Sequence, residues 1–218
     1  MAQDFDFEES SHIYSRNGKI IPGCTRVLEH GGLSNYEMVH KAIMERKSAL
    51  GRAVHDATLY YDLNDLNWAT LDEQLKPYVD AWADFRAITG FVPRQREVQC
   101  IASVNGMEYG MQIDAEGLVK KYDALVEIKI TTDIMPSHAI QLAGYALGLP
   151  MKRLDGDTPI DNALTRFYLR KRYAVQLLPS GKAKLHPFED PQDAEVFLWQ
   201  LGTCHWKLRK GIALKEAA

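Results

Sequence analysis

The chain has 218 residues, which fits one domain, or one domain with an elaborated arm, more easily than two. A chain of that length buries roughly 70% of its extended surface and needs neither disulfides nor a structural metal to hold a core. Its composition, 46% hydrophobic and 25% charged, excludes a disordered, collagenous or fibrous protein. A net charge of -3 excludes a bulk-basic nucleic-acid coat, so any nucleic-acid binding has to come from a local basic patch.

Three cysteines, Cys24, Cys100 and Cys204, form an odd set with no CxxC pair. They support no disulfide framework, zinc ribbon or four-cysteine Fe–S cluster, and a reducing cytoplasm is the expected setting. No apolar run approaches the ~20 residues of a membrane span. Met1 to Glu9 is acidic rather than a basic-then-apolar leader. The expectation is a soluble cytoplasmic protein with no membrane partner.

In chain order, His12 to Ser15 and Lys19 to Ile21 flank Asn17-Gly18 as a small hairpin. Thr25 is a candidate cap for a short helix ended by Gly31-Gly32. The pattern from Ser34 to about Leu63 is helical, with a break expected near Leu50-Gly51. Thr70-Leu-Asp-Glu73 matches a capping box for a helix running to Gly90. A three-strand meander follows at Arg94–Ser103, Met107–Val119 and Ala124–Ile130, its first turn signalled by Asn105-Gly106. His138 to Leu149 reads as a helix after Pro136, and Ala163 to Leu169 as another strand. Tyr173–Leu178 and Lys184–Phe188 read as a hairpin about Pro179-Ser-Gly181, and Asp190-Pro191 opens a C-terminal helix to about Leu208.

This order predicts a mixed α/β single domain over 1–218, with a mixed central sheet flanked by helices. Its expected parts are an N-terminal hairpin and helices (1–90), a core (91–170), and a basic hairpin with the C-terminal helix (171–218).

The chain lacks a GxxxxGK phosphate loop, a GxSxG elbow and an HExxH pair, which leaves the acidic residues of the meander. Glu127 and Lys129 lie two apart on a strand, so both side chains share a face, with Val126, Ile128 and Ile130 on the other. The only other acid-x-Lys match, Glu45-Arg-Lys47, falls in a helical stretch, where a two-residue step turns ~200° and the side chains diverge. Asp114 lies on the neighbouring strand. Gln141 and Tyr145, four apart, share a helical face. His55 sits on a helix before the meander and Glu97 on its first strand. A cross-strand ion pair on a solvated face accounts for the Glu127/Lys129 spacing equally simply.

Five segments in order, GRAVH at 51–55, Glu97 in REVQ, MQID ending at Asp114, VEIK ending at Lys129 and QLAGY at 141–145, resemble the PD-(D/E)XK nuclease superfamily. Within it the match is to the RecB-like and lambda-exonuclease-like branch that includes CRISPR-associated exonucleases. The opening HIYSRNGKIIPGCTRVL is similar to phage-encoded members. The resemblance spans about His12 to Leu169. It implies a restriction-endonuclease-like core and a stand-alone, metal-dependent DNA exonuclease of phage or prophage recombination. Its substrate would be DNA with free ends, and it would have no Fe–S cluster. Lambda-type relatives work with a single-strand annealing protein, for which this sequence carries no signature.

Clustered carboxylates that bind Mg²⁺ or Mn²⁺ fit phosphodiester hydrolysis. Asp114 and Glu127 are the expected ligands, with the Ile128 carbonyl as a third group, and Lys129 would orient the attacking water and offset charge. The resemblance further implies a metal-ligand role for His55, a water-holding role for Glu97, and support of the site or contact with the phosphate by Gln141 and Tyr145. An ordinary helix histidine, a surface glutamate and a core tyrosine are the alternatives at His55, Glu97 and Tyr145. Glu116 reads as a surface charge that shares a face with Asp114. The remaining histidines show no ligand spacing.

Arg166, Arg170, Lys171, Arg172, Lys182 and Lys184 form a run with no acidic residue, interleaved with Tyr168 and Tyr173. A basic hairpin of that kind could track a nucleic-acid backbone and stack on frayed bases, or simply be solvated. A structure-specific or restriction-type endonuclease on the same core, and a non-catalytic DNA-binding module, are the competing functions.

Overall fold

The computed structural model describes residues 5–8, 13–33, 41–153, 156 and 158–212. A small antiparallel sheet opens the chain: β1 (Asp6–Glu8), β2 (Ile13–Arg16) and β3 (Lys19–Ile21). Helices α1 (Cys24–His30), α2 (Lys41–Asp62) and α3 (Lys76–Thr89) follow. The meander is β4 (Phe91–Val104), β5 (Met107–Val119) and β6 (Tyr122–Lys129). Helices α4 (Pro136–Gly148) and α5 (Ala163–Leu169) lead to β7 (Lys171–Leu177), β8 (Ala183–Pro187) and the final helix α6 (Gln192–Arg209).

The main sheet has the order β4-β5-β6-β7-β8 and is antiparallel except for the β6–β7 pair. Two parallel strands side by side need a crossover, and α4 with α5 supplies it. One face of the sheet packs under α1, α4 and α6 through Met111, Ile113, Leu142, Phe197 and Leu201. The other packs against α2 and α3 through Val54, Trp82, Phe85, Val126, Ile128 and Val175. The result is a mixed α/β fold in which the sheet is buried on both faces. Among the described residues, no helix is long and apolar enough to cross a membrane.

Several expectations are corrected. Ala163–Leu169 is helical, and the strand begins only at Lys171. Asn162 caps this turn by accepting the Thr165 N–H at 2.8 Å. A short apolar run does not distinguish strand from helix by period alone. Helix α2 passes through Gly51 without a break, because tertiary packing of residues such as Val54 and Ala57 outweighs a glycine penalty of ~1 kcal/mol. Thr70 to Glu73 does not cap α3, which starts at Lys76; the Asp72 carboxylate instead accepts the Gln74 N–H in a preceding turn. Gly23, not Thr25, stands at the N-cap of α1. Strand β1 has no counterpart among the predicted elements. The helical expectation at 34–40, and His12 and His40, lie outside the described residues.

Glycine substitutions report on this packing. A Cβ at Gly51 or Gly202 meets nothing within 4 Å, whereas at Gly144 it lands 2.5 Å from the Phe197 ring. We expect Gly51→Ala and Gly202→Ala each to raise unfolding stability by about 0.5–1 kcal/mol. Gly144→Ala should lower it by about 1–3 kcal/mol. Urea titrations of the three variants check both signs.

Candidate metal centre

The β4–β5 ladder runs from Phe91 with Val119 to Val104 with Met107, with one extra residue at Arg94. At Glu97 and Asp114 the alternation of faces slips. Ile113 packs in the core under α4, but Ala115, two residues on, packs in the opposite core with Val126. On the partner strand Val98 follows Ile113, while the Arg96 guanidinium lies 4.8 Å from the Trp82 ring centroid in the other core. Glu97 carries the change with φ +50°, a left-handed conformation that is uncommon for a non-glycine residue and tends to occur where function constrains the backbone.

The β5–β6 ladder stops at the same level. Ala115 with Val126 is its last pair, and Asp114 then takes the place of a main-chain acceptor: its Oδ2 accepts the Ile128 N–H at 2.7 Å. The carboxylate is thereby pinned, almost fully buried, between two diverging strands. Its Oδ1 lies 3.5 Å from His55 Nδ1, and Glu97 Oε1 lies 3.3 Å from the same nitrogen. Glu97 Oε2 accepts from Gln112 Nε2 at 3.3 Å. His55, Glu97 and Asp114 each offer a ligand atom, and the three atoms lie within 4.8 Å of one another.

Glu127 projects from β6 under α4. Its Oε1 accepts from Lys129 Nζ at 2.9 Å and from Gln141 Nε2 at 3.0 Å. Gln141 Nε2 also lies 2.7 Å from the Tyr145 hydroxyl, so the α4 face holds the carboxylate in place. Glu127 Oε2 is buried with no hydrogen-bond partner among the described residues, an arrangement that costs free energy unless something else satisfies it. Of Ile128, the amide is engaged by Asp114, and the side chain fills the core beyond.

Charge crowding shifts these groups. Burial, then Glu127, raises the Asp114 carboxyl to about 7, against a smaller lowering from His55. Burial alone would lower His55, but Asp114, the hydrogen bond and charge of Glu97, and Glu127 outweigh it and raise the imidazole to about 9. Burial would raise Glu97, but its bond to His55 prevails and the carboxyl is lowered. The crowded carboxylates thus favour the protonated form of His55, which offsets part of their charge. A mixed oxygen and imidazole set with an orphaned carboxylate oxygen beside it fits a divalent cation such as Mg²⁺ or Mn²⁺, which would relieve the same crowding.

Residues that were not singled out from the sequence hold the site together. Arg96 donates to the Asp114 carbonyl at 2.9 Å, to the Thr58 carbonyl and hydroxyl, and to Asp62, which also accepts from Trp82 Nε1 and Arg86. Thr58 lies three residues beyond His55 and donates to its carbonyl. Arg96 therefore fixes α2, and with it His55, against the strand carrying Asp114. Glu116 does not reach this cluster. It pairs with Arg94, which also holds Asp123. Three other histidines make structural bonds: His138 Nδ1 accepts the Met135 N–H, His205 pairs with the Glu108 carbonyl, and His186 with Gln176.

The basic run divides in two. Arg166, Arg170 and Arg172 are buried. Arg166 donates to the Leu147, Ile160 and Asp161 carbonyls, and Arg170 to those of Ala146, Leu149 and Pro150. Together they cap the C-terminal carbonyls of α4. Arg172 lies over the Phe167 ring, pairs with Asp193 at 2.7 Å and donates to the Asp190 carbonyl. These three face the interior, so neither a solvated position nor contact with a nucleic-acid backbone, the two readings of the run, fits them. Lys171, Lys182 and Lys184 remain exposed.

No family model and no curated protein matches this sequence. Among solved structures, a provisionally assigned exonuclease from Eubacterium rectale aligns over 88% of this chain and 82% of its own, at 10% identity and a TM-score of 0.49. The protein SSO0001 aligns over 89% of this chain and 95% of its own, at 14% identity and a TM-score of 0.32. Likenesses at that level carry no functional assignment.

Two predictions follow from the geometry. Asp114→Ala removes the acceptor of the buried Ile128 N–H and should cost about 1–3 kcal/mol, whereas Asp114→Asn retains an acceptor and should cost less. Relief of repulsion alone would make both variants as stable as the parent, and denaturant unfolding separates the two cases. For pH, His55 is raised from 6.5 to about 9, so its contribution is fully present below 6.5 and lost as pH rises to about 9. The EDTA-treated protein should lose thermal stability over that window, and His55→Asn should flatten the loss. Added Mn²⁺ should stabilise more at high than at low pH, since it displaces protons.

Proposed function

We propose that this protein is a metal-dependent nuclease that hydrolyses DNA phosphodiester bonds, built on the PD-(D/E)XK plan of the RecB-like branch and acting from free DNA ends in phage-type recombination. The observation that carries this reading is the convergence of His55, Glu97 and Asp114 beside a buried Glu127 oxygen with no partner among the described residues, with Lys129 one strand step away. A purely structural ion-pair network would not need an unsatisfied buried carboxylate oxygen in a cluster this crowded.

His55, Glu97, Asp114 and Glu127 are the groups that would hold Mg²⁺ or Mn²⁺, with the Ile128 carbonyl as a further donor. Bound there, the cation would supply water activation near neutral pH and charge neutralisation at the phosphate. The remaining work falls to side chains of this chain. Lys129 Nζ, held by Glu127 Oε1, faces the developing negative charge and orients the incoming water. Gln141 and Tyr145 keep the Glu127 carboxylate in one rotamer through the Gln141 amide. Exposed Lys171, Lys182 and Lys184 would contact phosphates, and the buried arginines would not.

End-labelled linear DNA and covalently closed DNA, incubated with Mg²⁺, Mn²⁺ or EDTA, test the reading. Degradation of the linear substrate only, with metal only, is expected, together with a loss of about a hundredfold or more in Asp114→Asn and Glu127→Gln. Cleavage of the closed circle would assign an endonuclease instead. DNA binding without cleavage in any metal would leave a binding module.

A further inference from the structure

Strand register aligns a second polar row beside the carboxylates. Lys129 pairs with Gln176 across β6–β7, and Gln176 with Lys184 across β7–β8. Directly paired positions share a face, so the three side chains lie in one row at about 4.8 Å per strand. One step back along the strands, Glu127, Ala174 and His186 form a parallel row on the same face. The sheet surface beyond Lys129 is thus lined by Gln176, Lys184 and His186.

Gln176 is buried and fully engaged. Its Nε2 donates to the Thr131 and Thr132 carbonyls at 2.7 and 2.8 Å, and its Oε1 lies 3.3 Å from His186 Nε2. It ties the loop that follows Lys129 to β8. Between that loop and β8 opens a cleft of about 520 Å³. Its lining includes Lys184, His186 and Asp133 as polar groups and Met135, Pro136 and Phe188 as apolar ones. Met135 is 54% exposed at the head of α4. A single exposed methionine is ordinary, but apolar side chains and the Lys184 ammonium in one cleft, two strands from Lys129, have the chemistry that a nucleotide's base and phosphate require.

We propose that this cleft is a nucleotide subsite that holds one unstacked nucleotide of a DNA strand, the one adjoining the phosphodiester at Lys129. Lys184 and His186 bind its phosphate, and Met135 and Phe188 pack on its base. Gln176 is a positioning residue that keeps the loop and β8 apart at the width of a base. The subsite rests on the nuclease reading for its role but not for its binding chemistry, and it confers a preference for single-stranded or frayed DNA at the site.

Binding of a short fluorescein-labelled oligothymidylate, followed by anisotropy in EDTA and again in Ca²⁺, tests the subsite without any turnover. Met135→Asp puts a negative charge in the cleft while giving α4 a favourable N-cap, so the fold is kept. Lys184→Gln removes the cation, and Lys210→Gln, exposed at the end of α6 and outside the cleft lining, is the control. Met135→Asp and Lys184→Gln should each raise Kd about threefold to tenfold, and Lys184→Gln should flatten the salt slope by about 0.7. Lys210→Gln should stay within about twofold of the parent. Unchanged binding in both cleft variants, an equal loss in the control, or no oligonucleotide binding by the parent would each overturn the subsite. If the parent cleaves no DNA yet the cleft variants still bind more weakly, the hydrolytic reading fails and the subsite stands. If the parent cleaves but the cleft variants bind like it, the reverse holds.

Discussion

The hydrogen bond from the Ile128 N–H to Asp114 Oδ2 joins the architecture of this protein to its chemistry. A sheet ladder satisfies its amides with main-chain carbonyls, and wherever two strands diverge some buried donors lose their partners. Here the β5–β6 pairing ends at Ala115 and Val126, and a carboxylate takes over as acceptor. The exchange keeps Ile128 satisfied, so its side chain can sit deep in the core, and it fixes one oxygen of Asp114 so that the other is aimed at His55 and Glu97. Without that bond the fork would leave an unsatisfied amide, and the Asp114 carboxylate would lose the contact that fixes it.

The change of face at Glu97 and Asp114 serves the same end. Below it the hairpin contributes to the core of α2 and α3, above it to the core of α1, α4 and α6. A strand that alternated without interruption would direct its polar residues to one side only. The left-handed φ at Glu97 lets groups from α2, β4 and β5 meet at one level of the sheet. Arg96 holds the arrangement by tying Thr58 and Asp62 of α2 to the Asp114 carbonyl.

The chain's charge is therefore distributed by function as much as by sign. Four arginines, Arg96, Arg166, Arg170 and Arg172, serve carbonyls and buried carboxylates. A guanidinium suits that task, because its planar fork satisfies several acceptors at once. Lys171, Lys182 and Lys184 stay outside, where a net charge of -3 leaves them as a local patch rather than part of a global field. Lys129 and Lys184, joined through Gln176, extend a polar row from the carboxylates toward the cleft at β8.

The sequence by itself determined the meander, the α4 and α6 helices and the last hairpin, because periodicity and turn chemistry act between near neighbours. Asp114, Glu127 and Lys129 could be assigned to particular strands, and Gln141 to a helix, for the same reason. Other features are not local. The alternation around Asp114 reads as unbroken in the sequence, so Glu116 seemed to share its face, whereas Arg94 draws Glu116 away. Ala163–Leu169 satisfies either a strand or a helical pattern, and the Asn162 cap and the burial of Phe167 decide for the helix. An arginine's partners cannot be read from its neighbours: Arg166 and Arg170 resemble a phosphate-binding run until the end of α4 presents its free carbonyls to them. The tertiary structure decided these cases, because which buried donor meets which acceptor is settled only when distant segments are brought together.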